Sequence, residues 1–171
     1  FLPLEGGTEI ISLDEGHTPL YQCDRLAKWA GVARLHIKYE GANPSGSFKD
    51  RGMTVGVTKA KALGCRAVAC ASTGNLAASV AAHAAKSHLK AYVFIPHDIE
   101  QSKMISTAIY NPTLVAVQGS YDDVNRLCSS LVNKYNWGFI NINLRPYYAE
   151  GSKTLAYEIA EQLGWRAPDC V

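Results

Sequence analysis

The sequence lacks several patterns that would assign a protein to a function class directly. None of its 5 cysteines forms a C-x-x-C pair, and none of its 5 histidines has H-E-x-x-H spacing, so neither a disulfide framework nor a metal site is predicted. No apolar run reaches the roughly 20 residues of a membrane span, and the first residues lack the basic start of a signal peptide. The net charge of +2 forms no basic stripe, so we expect no nucleic-acid partner. These absences predict a soluble, cytoplasmic protein.

Length and composition are those of one ordinary domain, or of one domain and part of a second. The chain has 171 residues, of which 47% are hydrophobic. It begins at Phe1 without a methionine and stops at Val171 as an apolar run starts. We therefore expect a piece of a longer polypeptide.

Apolar strand patterns alternate with helical patterns along most of the chain. Strands are predicted at 35–40, 66–71, 91–95, 113–117 and 139–142, and helices at 25–30, 49–63, 76–86, 102–109, 121–135 and 150–163. Because such alternation requires crossover connections, the predicted fold is α/β, an open, mostly parallel sheet with helices on both faces. Ligands of such sheets bind at the carboxyl ends of the strands.

The segment 43–52, Asn-Pro-Ser-Gly-Ser-Phe-Lys-Asp-Arg-Gly, contains the first candidate site residue. Ser47 and Asp50 have the spacing of a capping pair that opens a helix, so Lys49 lies in the first helical turn. The helix dipole disfavours a cation there, which favours the uncharged, nucleophilic amine. From these residues alone, Lys49 could equally be a surface lysine neutralised by Asp50, with Arg51 solvated.

The turn 72–75, Ser-Thr-Gly-Asn, follows a predicted strand and precedes a predicted helix. Free backbone N–H groups at a helix start, together with Ser72 and Thr73 hydroxyls, suit a carboxylate or phosphate. Gly74 lets a ligand approach the backbone, and Asn75 adds an amide donor. An ordinary strand-to-helix turn is the alternative. The G-x-G-x-x-G and P-loop motifs of nucleotide-binding proteins are absent.

These motifs together resemble the fold-type II pyridoxal-phosphate enzymes, and most closely the threonine synthases. Segment 43–52 resembles their N-P-x-G-S-x-K-D-R-G lysine segment, residues 14–20 resemble E-G-x-T-P-L, and residues 150–154 resemble E-G-x-K-T. The resemblance implies pyridoxal 5'-phosphate bound through Lys49, with Asn75 on the cofactor ring. It also implies that Ser72, Thr73 and Gly74 hold the substrate carboxylate, and that Thr18 lines the substrate pocket.

One position departs from that resemblance. Many threonine synthases have a phosphate-binding arginine two residues before the second E-G pair, where this chain has Tyr148. Arg145 lies three residues earlier, and Asn143 is close to it, so a guanidinium and an amide could meet a phosphate there instead. A turn cap and a surface arginine are the alternative interpretation.

The resemblance implies conversion of O-phospho-L-homoserine and water to L-threonine and phosphate, in a protein that is usually a homodimer. It divides the chain into residues 1–39 of a large domain, a small α/β domain at 40–148, and the start of the rest of the large domain at 149–171. The glycine-rich loop for the cofactor phosphate and the partner of the pyridine nitrogen are expected after residue 171, so we expect this piece alone to be inactive. A dehydratase of threonine or serine, a β-replacement synthase and a non-catalytic ligand-binding domain of the same fold stay open as alternatives.

Overall fold

The core of the fold is a four-stranded parallel sheet. The computed structural model describes residues 2–99 and 104–171. The strands are β3 (Ala67–Ala71), β4 (Lys90–Pro96), β5 (Thr113–Val117) and β6 (Trp137–Phe139), in the order β5-β4-β3-β6. All neighbouring strands in this sheet are parallel. The predicted parallel sheet is confirmed.

Helices cover both faces of this sheet. They are α1 (Asp24–Ala30), α2 (Lys49–Ala62), α3 (Asn75–Ser87), α4 (Ile105–Ala108), α5 (Tyr121–Leu131), α6 (Arg145–Ser152) and α7 (Thr154–Gln162). On one face, Val68 and Cys70 of β3 pack with residues of α2 and α3. On the other face, Ala69 and Ala71 pack with residues of α5. Because successive strand residues point to opposite faces, β3 is apolar throughout and is buried on both sides.

A separate antiparallel pair precedes the parallel sheet. It consists of β1 (Leu20–Gln22) and β2 (His36–Lys38), with Leu20 opposite Lys38. A 3-10 turn (Glu40–Ala42) follows and leads to the loop before α2. The predicted strand at 35–40 is therefore shorter, and its partner β1 was not predicted from the sequence.

The predicted capping pair at the start of α2 is wrong. The residue preceding the helix is Phe48, which makes no side-chain capping bond, and the Asp50 carboxylate binds Ser45 and Ser79 instead. Ser47 Oγ accepts only a 3.3 Å hydrogen bond from the Lys49 backbone N–H. The predicted end is confirmed, because Gly64 adopts the left-handed conformation just after α2.

The predicted strand at 139–142 and the predicted helix at 150–163 have wrong bounds. The backbone N–H of Phe139 donates to Asn143 Oδ1 at 2.8 Å. The Asn143 side chain thus accepts the hydrogen bond that a neighbouring strand would otherwise accept, and the chain turns here. Helix α6 then begins at Arg145, with Pro146 in its first turn, and Lys153 alone separates it from α7. Helix α5 ends at Leu131 rather than at residue 135. Of the predicted helix at 102–109, residues 105–108 are helical, and residues 102 and 103 lie outside the described part.

The described residues contain neither a candidate membrane span nor a candidate metal-ion cluster. None of the helices in residues 2–99 and 104–171 is both long and apolar enough to cross a bilayer. In the same part of the chain, no cluster of three or more histidine, cysteine, aspartate or glutamate side chains could bind a metal ion. Cys70 and Cys128 are buried thiols, and burial raises the pKa of Cys128 to about 11, as expected for neutral structural cysteines.

Candidate active site

The order of the parallel strands places a crevice next to β3. From β3 the chain adds β4 and β5 on one side, and then crosses to add β6 on the other. Strand order therefore reverses between β3 and β6, and such a switch point is where open α/β sheets bind ligands. The turn 72–75 follows β3, and the segment 140–144 follows β6. The second loop contacts the end of β3, because the Ala71 backbone N–H donates to Asn141 Oδ1 at 3.4 Å.

Lys49 is the first residue of α2, as the sequence predicts for a first-turn lysine. Its side chain is partly buried, and its Nζ donates a 2.8 Å hydrogen bond to Oη of Tyr148 on α6. The Phe48 ring lies on another side of the amine, with its centroid 4.5 Å from Nζ. No carboxylate of the described residues forms an ion pair with Lys49. The proposed neutralisation of Lys49 by Asp50 is therefore wrong.

Asp50 fixes the first turn of α2 against α3. This side chain is fully buried, and its carboxylate accepts hydrogen bonds from the Ser45 backbone N–H at 2.8 Å and from the Ser45 hydroxyl at 2.6 Å. Its Oδ1 also accepts a hydrogen bond from the Ser79 hydroxyl on α3. Ser79 lies one turn after Asn75, so Asp50 brings the Lys49 turn beside the start of α3.

A second buried network surrounds the next residue, Arg51. Its guanidinium binds both carboxylate oxygens of Glu40, at 2.7 and 2.8 Å, and both carboxylate oxygens of Glu158 on α7, at 2.7 and 2.8 Å. Arg51 is only 3% exposed, which contradicts the interpretation of a solvated arginine. Lys38 Nζ and the His17 backbone N–H also donate to Glu158. We call these five residues the Arg51 network.

Hydrogen bonds within this network change the ionisation of its carboxylates. Burial alone would raise the pKa of Glu158, but the hydrogen bonds from Arg51, Lys38 and the His17 backbone outweigh it and lower that pKa from 4.5 to about 2. Burial alone would also raise the pKa of Glu40. Hydrogen bonds from Arg51 and Thr18 outweigh this effect, so that pKa is lowered as well. Both carboxylates are therefore ionised at neutral pH and are paired with a buried cation.

The turn 72–75 lies at the carboxyl end of β3, where the sequence placed it. Gly74 and Asn75 are exposed, and a Cβ at Gly74 would meet nothing within 4 Å, so the backbone of this turn is open to a ligand. The Asn75 side chain makes no hydrogen bond to another described residue. Ser72 and Thr73 are partly buried beside it. The turn therefore offers hydroxyl, amide and backbone donors to a ligand.

Three other predicted site residues have surroundings that do not involve the crevice directly, and for Asn143 and Arg145 these match the alternative interpretation from the sequence. Thr18 is 1% exposed, and its hydroxyl donates to Glu40 and accepts from Arg51 at 3.1 Å. Asn143 caps the turn after β6 through its bond to the Phe139 N–H. Arg145 is exposed at the start of α6, one turn before Tyr148. Substrate binding by these three residues stays a prediction.

A groove elsewhere on the chain is not this site. It has a volume of about 310 Å³ and lies where β4 and β5 begin, at the opposite end of the strands from the switch point. Alanines of α3, Tyr92 and Tyr110 are among its lining residues. Catalysis in parallel sheets takes place at the carboxyl ends, so we assign the candidate site to the Lys49 crevice.

The residues of the crevice fit a cofactor that carries a carbonyl group. A partly buried lysine amine, without a carboxylate partner in the described part of the chain, can bond covalently to an aldehyde. An exposed amide at Asn75 and an open turn at Gly74 leave room and donors for the group. Lys49 and Asn75 are therefore the residues of this chain that would hold it.

Comparison with known proteins identifies the family. The family described as pyridoxal-phosphate dependent enzyme matches residues 11–171 of the chain. The chain belongs to this family, and the cofactor inferred from Lys49 and Asn75 is the one that the family uses.

The curated relatives are more specific. The chain is 44% identical to a threonine synthase of Methanocaldococcus jannaschii over 172 residues, which cover 100% of this chain and 42% of the relative. It is 42% identical to a threonine synthase of Synechocystis sp., over 99% of this chain and 44% of the relative. The chain thus spans less than half the length of these relatives.

Several solved structures have the same fold as this chain. Diaminopropionate ammonia lyase from Escherichia coli matches with a TM-score of 0.77 and 22% identity, over 89% of this chain and 45% of that one. The processed form of threonine deaminase isoform 2 from Solanum lycopersicum matches with a TM-score of 0.75 and 24% identity, over 85% of this chain and 40% of that one. At these identities the likeness establishes the fold alone.

Sequence reasoning missed three features of the site. It gave Tyr148 no contact with Lys49, it considered Arg51 only as a solvated residue in one of two interpretations, and it did not pair Asp50 with Ser79. The spacing of Pro146 and the last strand could have indicated that a helix begins before Tyr148 and turns it inward. The partners of Arg51 and Asp50 are distant in sequence, so no local pattern indicates them.

Proposed function

We propose that the full-length protein is a threonine synthase, which converts O-phospho-L-homoserine and water to L-threonine and phosphate. The observation that carries this choice is the shared name of several curated relatives, each 42–44% identical over at least 98% of this chain. The crevice supports it, because Lys49, the open turn 72–75 and Arg145 supply an amine, a carboxylate site and a cation.

Lys49 is the residue that we assign to hold the cofactor, and Asn75 is assigned to donate to the oxygen of its ring. When bound, pyridoxal phosphate supplies an electron sink for negative charge on the substrate carbons. Lys49 is then free to act as a base, and its amine takes protons from those carbons. The hydrogen bond to Tyr148 holds this amine within the crevice.

The substrate is held by charge and by backbone donors. We assign its carboxylate to Ser72, Thr73 and the N-terminal N–H groups of α3, where the helix dipole favours an anion. We assign the leaving phosphate to Arg145 and Asn143, since a guanidinium stabilises the charge that develops as phosphate departs. Arg145 lies one turn from Tyr148 on α6, which supports this assignment.

We also propose that residues 40–148 form a small domain and that residues 1–39 and 149–171 belong to a larger one. The whole parallel sheet lies inside 40–148, which supports the division. A homodimer and a cytoplasmic location complete the proposal for the full-length protein. They follow from the resemblance to threonine synthases.

The test measures two products of the full-length protein. We expect phosphate release from O-phospho-L-homoserine and no ammonia release from threonine. Ammonia release from threonine without phosphate release would contradict the proposal and favour a dehydratase.

The covalent site is tested by reduction of the protein with borohydride in the presence of pyridoxal phosphate. Mass spectrometry should find the cofactor on the peptide that contains Lys49. Lys49→Ala should lose this adduct and all turnover, while its circular dichroism spectrum stays that of the wild type. An adduct on another lysine would contradict the assignment.

A further inference from the structure

The amine of Lys49 has one polar side-chain partner among the described residues, and that partner is a neutral hydroxyl. Lys49 Nζ donates to Tyr148 Oη at 2.8 Å. The remaining close groups are aromatic faces, with the Phe48 centroid 4.5 Å and the Tyr148 centroid 5.5 Å from Nζ. The amine is therefore held by a directional hydrogen bond rather than by an ion pair.

Close packing of α2 against α6 fixes this hydroxyl in place. A Cβ at Gly52 would lie 2.3 Å from the Tyr148 ring and 2.9 Å from the Tyr148 backbone oxygen. A Cβ at Gly151 would lie 2.2 Å from the backbone oxygen of Arg51. Because both glycines let the two helices touch, one side of the Tyr148 ring packs directly on the backbone of α2.

We propose that Tyr148 is a positioning residue, which orients the Lys49 amine for proton transfer. This inference rests on the proposed function, in which Lys49 is the base. A neutral amine has one lone pair and two N–H bonds, so donating one N–H to Tyr148 Oη leaves the lone pair free to accept a proton. The position that carries an arginine in many threonine synthases thus serves the lysine in this chain.

The proton step balances without a change in Tyr148. The C–H bond of the substrate breaks, its electron pair stays on the substrate, and its proton forms a bond with the Lys49 lone pair. The new ammonium group then donates a charge-assisted hydrogen bond to Tyr148 Oη, which stabilises it. A carboxylate in place of Tyr148 would favour the ammonium form before the reaction, and the lone pair would be lost.

The experiment compares Tyr148→Phe with Tyr147→Phe in the full-length protein. Both substitutions remove one hydroxyl and keep the ring. Tyr147 is the control, because its ring faces Lys59, with its centroid 5.4 Å from Lys59 Nζ. The readouts are the rate at which added pyridoxal phosphate bonds to Lys49, followed by absorbance and borohydride trapping, and kcat, KM and the isotope effect with α-deuterated substrate.

We expect Tyr148→Phe to form the Lys49 adduct about 10-fold more slowly and to lose about 10- to 100-fold in kcat, with little change in KM. Its isotope effect should rise, because proton transfer becomes slower relative to the other steps. Tyr147→Phe should match the wild type in each readout. Circular dichroism checks that both variants are folded.

Three outcomes would overturn the inference. Adduct formation and kcat within twofold of the wild type in Tyr148→Phe would remove the positioning role, and a higher KM alone would assign Tyr148 to substrate binding. In the first two cases, an intact Lys49 adduct in the wild type leaves the proposed function standing. Absence of that adduct from the wild type would overturn both.

Discussion

Lys49 and Arg51 are two cations in one helical turn, and their surroundings differ in almost every respect. Lys49 is partly buried and makes one hydrogen bond to a neutral hydroxyl. Arg51 is 3% exposed and binds two carboxylates, each through two oxygens. The segment therefore places a reactive group and a structural group side by side.

The difference between Lys49 and Arg51 explains how this segment keeps an amine available for chemistry. Partly buried carboxylates would attract a nearby cation, but Glu40 and Glu158 are both paired with Arg51. Asp50 is occupied by Ser45 and Ser79. Because the nearby acids already have partners, the Lys49 amine contacts the Tyr148 hydroxyl and the Phe48 ring instead.

The largest loss of stability is expected when the structural cation, Arg51, is removed. Arg51→Met leaves Glu40 and Glu158 without their buried partner, and we expect it to lower the free energy of unfolding by about 3–5 kcal/mol. Lys49→Met removes one hydrogen bond at a partly exposed site, and we expect a loss of about 1 kcal/mol or less. Urea denaturation of the full-length protein, followed by circular dichroism, measures both.

Lys61→Met is the control for loss of a positive charge on the same helix. Lys61 pairs with Glu9 at 3.1 Å, and both side chains are exposed, so this change should cost less than about 1 kcal/mol. Equal losses in the Arg51 and Lys49 variants would refute the division between structural and reactive cations.

A smaller effect is expected from the helix contact that holds Tyr148. In Gly52→Ala the new methyl group overlaps the Tyr148 ring, so we expect a loss of about 1–3 kcal/mol and a lower kcat. Gly56→Ala is the control on the same helix, because its Cβ would meet Ile140 Cδ1 at a distance of 3.3 Å. It should change stability by no more than about 1 kcal/mol. The reverse order of the two variants would show that α2 and α6 are not closely packed at Gly52.

The smallest change in stability is expected from Glu158, and only at acidic pH. The pKa of Glu158 is lowered to about 2 in the folded chain, from 4.5. A lowered pKa means that this carboxylate contributes stability above pH 4.5 and loses that contribution as the pH falls toward 2. Urea midpoints measured between pH 6 and pH 2.5 should therefore decline, and decline less in Glu158→Gln. Parallel curves for the two proteins would contradict the assigned role of Glu158.

The sequence predicted the parallel sheet because its strands and helices carry their own signals. The strand at 67–71 is an apolar run, and α2 has a glycine at its end, so both were predicted within one or two residues. The end of the sheet was not predicted correctly. Residues 139–142 look like a strand, but the Asn143 side chain captures the Phe139 N–H and turns the chain.

The candidate site was only partly predictable for a related reason. Lys49 and the turn 72–75 belong to short local motifs, which a sequence displays directly. The Tyr148 contact joins residues 99 positions apart, and the contact of Arg51 with Glu158 spans 107. Contacts of this kind depend on how helices cross, and periodicity along one helix does not encode that.

The Arg51 network also sets an order of events while the protein is being made. Arg51 and Glu40 leave the ribosome 11 residues apart, whereas Glu158 follows Arg51 by 107 residues. Arg51 can therefore form its ion pair with Glu158 only after almost the whole of this chain has been translated. Until Glu158 has been made, Arg51 can pair only with Glu40.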